Sequence, residues 1–246
     1  MSLHYLHAPS KEPITIVFDG MPIKAVVFDF GGVLLSYERL SAIWEDIDRE
    51  HNLKPGSISK LTKGAEFSAW LGPDRGLFHG GISIEEIESG IFTEFVNLKC
   101  GTKITAKIKP FSPALGPKAN HIYNHKLCAV LKQLRDLGFK TALLTNNCHI
   151  DKAKIESRLP FDLSQFDVVV ESCLENMVKP EPEIYQLTAS RLGFKPEELV
   201  FLDDLKENVD AAKNLGWSGI HVDPSNEAVA VDSLEQLLGC KFQFEN

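Results

Sequence analysis

Polar side chains that could do chemistry follow short apolar runs at three places in the chain. Asp29 follows IKAVVF, Thr145 and Asn146 follow KTALL, and the pair Asp203 and Asp204 follows LVFL. Taken singly, each of these residues is an ordinary loop or turn former. Together, three carboxylates at one place would repel one another unless a cation were present, so the pattern favours a functional site that binds a metal ion.

The apolar runs have the composition of buried parallel strands, and helical patterns alternate with them. The predicted strands cover 23–28, 140–144, 167–170 and 199–202, and the predicted helices cover 127–137, 184–192 and 209–215. This alternation predicts an α/β fold with a doubly wound parallel (Rossmann-like) sheet. Ligands of such sheets bind outside the carboxyl ends of the strands, which is where the polar residues fall.

A long segment between the first two strands has a helical pattern of its own. Ser83-Ile84-Glu85-Glu86 is a capping-box start for a helix through about residue 98. We therefore expect a Rossmann-like core formed by 23–36 and 118–246, a small helical cap inserted at 37–117, and an N-terminal extension at 1–22. Three aromatic residues are expected to pack within the cap: Trp44, Trp70 and Phe78.

Composition argues against several classes of protein. The formal net charge of -8 over 246 residues would repel a nucleic-acid backbone. The five cysteines form no C-x-x-C pair, which indicates reduced thiols and neither a disulfide framework nor a zinc site. No apolar run approaches the ~20 residues of a membrane span, and the N-terminus has no signal-peptide pattern. We expect a cytoplasmic protein with no membrane or nucleic-acid partner.

Four motifs occur in order along the chain: VVFDFGGVLL (26–35), LLTNN (143–147), VVESCLENMVKPEPEIY (169–185) and VFLDDLKENVDAAKNLG (200–216). With these motifs the chain resembles the haloacid dehalogenase-like (HAD) superfamily. The resemblance is strongest to the phosphatase-type domain at the N-terminus of soluble epoxide hydrolase and of an acyl-CoA dehydrogenase-like protein. It implies a Mg²⁺-dependent hydrolase that acts on a small phosphorylated substrate.

The resemblance also implies roles for individual residues. Asp29 matches the nucleophile that forms an aspartyl-phosphate. Lys179 matches the cation that offsets the charge of nucleophile and phosphate, and Thr145 and Asn146 match the donors to the phosphoryl oxygens. The implied magnesium ligands and their supports are Asp29, the backbone carbonyl of Gly31, Asp204, Asp203 as a weaker candidate, and Asn208 as a supporting residue.

Gly31 departs from the phosphatase pattern D-x-D-G, in which the second Asp acts as general acid and base. Loss of such help typically costs ~10²- to 10⁴-fold in rate. The protein is therefore a slow phosphatase, an enzyme for esters with good leaving groups, or a domain that binds a phosphorylated ligand without turnover. A metal-independent dehalogenase is a further alternative, which the pair Asp203 and Asp204 disfavours. Restoring the acid with Gly31→Asp is expected to raise turnover.

Other candidate residues receive a structural interpretation. TIVFDG at 15–20 imitates the first motif, but the small-residue turn that follows Asp29 is missing after Asp19. His121 and His125 lie four residues apart without an intervening Glu, which favours a polar helix face over a metal site. Cys148 follows the second motif, and a buried neutral thiol is the expected state.

Overall fold

A computed structural model describes residues 23–244 apart from 64, 72–75, 116–119 and 155–158. The expected N-terminal extension and its Asp19 motif lie outside these residues. The described chain forms five strands, β1 (Ala25–Phe28), β2 (Lys140–Thr145), β3 (Val168–Glu171), β4 (Leu199–Asp203) and β5 (Ser218–His221). All pairings are parallel and the strand order is β3-β2-β1-β4-β5. The prediction of a doubly wound parallel sheet is confirmed.

The central strand β1 determines where the site lies. Its AVVF sequence is wholly buried, as expected for a strand covered on both faces. Phe28 is in register with Leu143 of β2 and with Leu202 of β4. The chain therefore leaves β1, β2 and β4 at one edge of the sheet, where Asp29, Thr145 and Asp203 are neighbours.

Helices cover both faces of the sheet. The core helices are α7 (His125–Asp136), α8 (Ser172–Glu175), α9 (Pro182–Leu192), α10 (Lys206–Asn214) and α11 (Glu227–Leu238). Apolar side chains of α7 and α11 pack with Val26 and Phe28 on one face. Those of α9 and α10 pack with Ala25 and Val27 on the other. Alternate residues of β1 thus belong to two separate cores, which hold the strand rigidly beneath Asp29.

A helical unit follows β1 and has its own hydrophobic cluster. Its helices are α1 (Glu38–Glu50), α2 (Ser57–Lys63), α3 (Ala65–Leu71), α4 (Ile84–Glu86), α5 (Phe92–Cys100) and α6 (Ser112–Leu115), with a π-helical turn at Ile87–Ile91. Trp44 is buried in this cluster, and its indole N–H donates to the carbonyl of Pro110 over 3.0 Å. Trp70 contacts the rings of Phe67 and Phe95. Phe78, by contrast, is 42% exposed, so its expected packing in the cap was wrong.

The capping box at Ser83 is formed. The Ser83 hydroxyl accepts from the N–H of Glu86, and the Glu86 carboxylate accepts from the N–H of Ser83 over 2.9 Å. The helical path continues past a kink at Gly90, where φ is 152°, and ends at Cys100. The predicted start at Ser83 is confirmed, and the end lies two residues beyond the predicted one.

Two adjacent segments connect the helical unit to the sheet. Leu35 and Tyr123 form an antiparallel bridge. The N–H of Ser36 donates to the carbonyl of Ile122, and the N–H of Asn124 donates to the carbonyl of Leu34. The outgoing and returning chains are thus held side by side.

Among the residues that the structure describes, none of the helices combines the length and hydropathy that a bilayer span requires.

Three core elements have no counterpart in the sequence prediction, namely the short helix α8, strand β5 and helix α11. Strand β5 contains Ser218 and Gly219 where buried strands usually carry branched residues. Helix α11 does have a helical signal, because its buried side chains Ala230, Val231, Leu234 and Leu238 follow helical spacing. That spacing could have revealed the helix.

Candidate active site

Asp29 and Lys179 form a buried ion pair at the carboxyl edge of the sheet. Asp29 follows β1, and its N–H donates to the carbonyl of Leu202 over 2.9 Å, which fixes it against β4. The Lys179 ammonium lies 2.8 Å from Asp29 Oδ1 and 2.7 Å from Asp203 Oδ2. One lysine is therefore shared between two buried carboxylates.

The loop that carries Lys179 is held by the side chain of Asn146. The Asn146 amide donates to the Lys179 carbonyl over 3.0 Å, and its oxygen accepts from the Lys179 N–H over 2.9 Å. Glu181 also stabilises this loop, because its carboxylate accepts from the N–H of Val178. The amide of Asn146 is thus engaged with backbone and fits a role in positioning Lys179. Its expected contact with phosphoryl oxygens stays a prediction.

Asp203 is fully buried, and its two oxygens accept four hydrogen bonds. Oδ1 accepts from the N–H of Leu205 at 2.8 Å and from the Asn208 amide at 3.1 Å. Oδ2 accepts from Lys179 at 2.7 Å and from Asn208 at 3.1 Å. These bonds occupy most of the acceptor capacity of the carboxylate. Asp203 is therefore suited to holding Lys179 and Asn208 in place.

Asp204, the next residue, has a different environment. Its Oδ1 is buried and has no hydrogen-bond partner among the described residues. Burial and the charges of Asp29 and Asp203 raise the pKa of Asp204 to about 7. A buried acceptor without a partner is costly, and a bound cation would remove that cost.

The three acids lie close enough to share a metal ion. Asp29, Asp203 and Asp204 each offer a carboxylate oxygen, and these oxygens lie within 4.8 Å of one another. Burial raises the pKa of Asp29 to about 6, although Lys179 lowers it, and the charge of Asp203 raises it further. Burial lowers the pKa of Lys179, but Asp29 and Asp203 outweigh this effect and raise it. The site therefore carries an excess of negative charge that one lysine does not balance.

Gly32 makes room for Asp204. It has a φ of +75°, in the left-handed region that favours glycine, and a Cβ built on it would lie 2.4 Å from Asp204 Oδ2. Any side chain at position 32 would displace the carboxylate of Asp204. The second glycine of the Gly-Gly pair is therefore required by both the turn and the site.

The haloacid dehalogenase-like hydrolase family model matches residues 23–216, a range that contains Asp29, Asn146, Lys179, Asp203 and Asp204. The chain belongs to the haloacid dehalogenase-like hydrolase family. The resemblance proposed from the four motifs is thereby confirmed.

Two relatives align with most of this HAD chain, and the second of them has phosphatase in its name. Acyl-CoA dehydrogenase family member 10 of Mus musculus is 35% identical over 223 residues, covering 89% of this chain and 20% of the relative. This chain thus spans about one fifth of that protein's length. Sesquiterpene phosphatase astK of Aspergillus oryzae is 27% identical over 218 residues, covering 88% of this chain and 97% of the relative.

A solved structure shares the fold. A HAD family enzyme of Bacteroides thetaiotaomicron, in complex with magnesium and inorganic phosphate, is 23% identical and has a TM-score of 0.52. The alignment covers 81% of this chain and 94% of that one. The likeness supports the HAD fold with its inserted cap.

The remaining motif residues lie around the same edge. Thr145 ends β2 and is buried. Asn147 bridges to the start of α8, since its N–H donates to Ser172 Oγ over 3.0 Å and its amide donates to Glu171 over 2.7 Å. These contacts connect the second motif of the HAD chain to its third.

The cap lies against the loop that follows the second motif. The N–H of Ile84 donates to the carbonyl of His149 over 2.9 Å. His79 of the helical unit lies 3.1 Å from the carboxylate of Glu181, and Glu181 follows Lys179 by two residues in the same loop. Cys148 packs in the cap cluster, and burial raises the pKa of its thiol to about 12, which confirms a buried neutral thiol. The helical unit thus contacts both the loop after β2 and the loop that carries Lys179.

Sequence reasoning missed Tyr37. Its hydroxyl oxygen lies 2.5 Å from the position of a Cβ on Gly31. Burial, and then the charges of Asp29, Asp204 and Asp203, raise its pKa well above 10. Tyr37 belongs to none of the four motifs. It lies in the segment between β1 and α1 and comes near the carboxylates only in the folded chain.

Proposed function

We propose that the chain is a magnesium-dependent phosphatase or phosphotransferase that acts on a small phosphorylated molecule through an aspartyl-phosphate on Asp29. The observation that carries this proposal is the buried Asp29–Lys179 pair beside a carboxylate, Asp204, that has an oxygen without a partner. A nucleophile, a fixed positive charge and a vacant oxygen ligand are the parts that phosphoryl transfer requires.

The residues present fit a magnesium ion. Asp29, Asp204 and the backbone carbonyl of Gly31 would hold it, because Mg²⁺ prefers oxygen ligands and commonly takes one or two carboxylates. Asp203 is less suited as a ligand, since its oxygens already accept from Leu205, Asn208 and Lys179. When bound, the ion would neutralise charge on the phosphoryl oxygens and on the acids.

The chain's own residues supply the covalent chemistry. The Asp29 carboxylate is paired with the Lys179 ammonium, which favours its ionised form, and this form can attack phosphorus. An oxygen of Asp29 forms a bond to phosphorus while the ester P–O bond breaks, and the alkoxide leaves and takes a proton from water. Water then cleaves the aspartyl-phosphate, releasing inorganic phosphate and the free carboxylate. Lys179 compensates the charge and Thr145 binds the phosphoryl group, while the side-chain amide of Asn146 holds the backbone of Lys179 in place.

The glycine at position 31 supports a second candidate function, that of a domain that binds a phosphorylated ligand with little or no turnover. Without a carboxyl group there, the leaving alkoxide has no general acid from that position, and turnover falls by ~10²- to 10⁴-fold. A weak or inactive domain that binds a phosphorylated ligand or partner is therefore the alternative. A metal-independent dehalogenase is disfavoured, because unneutralised carboxylates at Asp203 and Asp204 would oppose an anionic substrate.

The substrate class rests on the relatives. The protein named sesquiterpene phosphatase aligns with 88% of this chain, which supports a small phosphorylated organic molecule as substrate. The absence of nucleic-acid and membrane partners and the cytoplasmic location stay predictions from composition.

Turnover of p-nitrophenyl phosphate during a Mg²⁺ titration tests the proposal. We expect activity that saturates with Mg²⁺ and is abolished by EDTA. Incubation with Mg²⁺ and beryllium fluoride should produce an adduct on Asp29, visible by ¹⁹F NMR, that mimics the aspartyl-phosphate. Asp29→Asn should lose both. Asp210→Asn, an exposed acid paired with Lys206, is the matched control and should keep both.

The results separate the candidates. An adduct with no turnover on any ester supports the binding domain. Activity that is independent of Mg²⁺ contradicts the metal assignment. Full activity in Asp29→Asn excludes a covalent role for this residue.

A further inference from the structure

The space in front of Gly31 is filled by a phenol. A Cβ built on Gly31 would lie 2.5 Å from the Tyr37 hydroxyl oxygen and 3.0 Å from its Cζ. The first distance is shorter than real Cβ contacts, and the second is tighter than most of them. A side chain at position 31 would therefore have to displace the hydroxyl end of Tyr37.

The hydroxyl of Tyr37 is a donor without an acceptor in the described part of the chain. No described group accepts a hydrogen bond from it, although the three site carboxylates Asp29, Asp203 and Asp204 act on it electrostatically. The residue as a whole is 36% exposed, so the ring reaches from solvent to the carboxylate edge. A phenol keeps its proton at neutral pH and can donate to an oxygen of a ligand.

The backbone around Tyr37 fixes this position. Ser36 pairs with Ile122 of the returning linker, and the carbonyl of Tyr37 accepts from the N–H of Ser41 in the first turn of α1 over 2.9 Å. The backbone of Tyr37 thus lies between a residue that is paired with the returning segment and the first turn of α1. The fold thus fixes the backbone position from which the hydroxyl reaches the edge of the sheet.

We propose that Tyr37 is a substrate-contacting residue whose hydroxyl donates a hydrogen bond to the ester oxygen of the bound phosphate monoester. The proposal rests on the proposed function. When the P–O bond breaks, charge develops on that oxygen, and a donor aimed there stabilises it. Tyr37 keeps its own proton, and the alkoxide takes its proton from water.

The expectation that Gly31→Asp raises turnover stays a prediction, and this geometry adds a condition to it. A carboxylate at position 31 needs space that the hydroxyl end of Tyr37 occupies, so the exposed Tyr37 side chain has to turn aside. The double variant Gly31→Asp/Tyr37→Ala provides that space in advance and should turn over alkyl phosphates faster than Gly31→Asp alone.

The test compares Tyr37→Phe with Tyr123→Phe. Tyr123 lies on the segment that returns from the helical unit to the sheet. Its hydroxyl donates to the carbonyl of Pro160, so this tyrosine is near Tyr37 along the paired segments but already has a hydrogen-bond acceptor. We expect Tyr37→Phe to lower kcat for alkyl phosphates by about tenfold, the equivalent of one hydrogen bond to a charged oxygen. For p-nitrophenyl phosphate, whose leaving group departs readily, the loss should stay below about threefold. KM and the melting temperature should be unchanged, and Tyr123→Phe should show no dependence on the leaving group.

Equal kcat for wild type and Tyr37→Phe across the whole ester series would overturn the inference, and so would a uniform loss on all esters. If no ester is turned over by the wild type, the proposed function fails, and binding of orthovanadate in the presence of Mg²⁺ decides the inference. Affinity reduced at least threefold in Tyr37→Phe, and unchanged in Tyr123→Phe, supports it. Equal affinity in all three proteins overturns it.

Discussion

Asp204 is a partly buried carboxylate that the metal-free protein holds beside two other acids, and asparagine at this position would remove the repulsion. Burial and the charges of Asp29 and Asp203 raise its pKa from 3.8 to about 7. This difference corresponds to about 4 kcal/mol of unfavourable free energy in the charged form. Because Asp204 is partly exposed, water screens a share of this energy, and we expect a stability gain of about 1 to 2 kcal/mol.

The pH dependence of this gain has a definite sign. The native state holds the Asp204 proton more tightly than the unfolded chain, so the contribution of Asp204 to stability becomes less favourable as pH rises from about 4 to about 7. Above that window the full cost is present, and below it none is. Asp204→Asn should melt about 2 to 8 °C above the wild type at pH 8 in EDTA, and level with it at pH 4.

Magnesium should reverse the order of the two proteins. At a hundredfold excess over its dissociation constant, Mg²⁺ should stabilise the wild type by about 2.7 kcal/mol and Asp204→Asn hardly at all. Calorimetric melts at pH 4, 6 and 8, with EDTA or MgCl₂, measure both effects, and Asp210→Asn serves as control. A metal-free Asp204→Asn that is less stable than the wild type at pH 8, or a gap that does not change with pH, would refute the reasoning.

Lys179→Met should destabilise the protein by about 3 to 5 kcal/mol in urea melts and abolish turnover, because it leaves two buried carboxylates without their cation. The matched variant Lys206→Met breaks an exposed ion pair and should melt within about 1 kcal/mol of the wild type, whereas equal stability of the two variants would contradict the shared ion pair. Cys148 and Cys173, whose pKa values burial raises to about 12, should react with iodoacetamide at pH 8 far more slowly than the exposed Cys100. Peptide mass mapping measures the rates, and comparable labelling of all three would show that the two thiols are accessible.

The strands that the sequence revealed are those whose composition is decided by burial on both faces. Strand β1 is one example, because its side chains belong to two cores. Strand β5 escaped prediction for a packing reason. A Cβ on Gly219 would lie 2.8 Å from Val209 of α10, so the close approach of that helix selects glycine and removes the strand signal.

The acidic pair shows where sequence reasoning about a site stops. Asp203 and Asp204 are adjacent, and only the family resemblance ranks Asp204 above Asp203 as a metal ligand, because the residue pattern by itself does not distinguish them. The fold separates them, since Asp203 is saturated with hydrogen bonds while Asp204 keeps an oxygen free. Likewise, a motif position cannot tell that the amide of Asn146 is engaged by the backbone of Lys179. Both distinctions depend on contacts between segments that are distant in sequence.

Gly31 and Tyr37 show how an apparent loss in a motif can depend on a second position. When only the motif is considered, Gly31 is the loss of the general acid that the phosphatase pattern has at this position. In the fold, the space that an acid would enter is occupied by the hydroxyl end of Tyr37, whose backbone is hydrogen-bonded to the first turn of α1. A carboxylate at position 31 would therefore require the exposed Tyr37 side chain to turn aside. The pair found here places a neutral hydrogen-bond donor where a carboxyl group would otherwise lie.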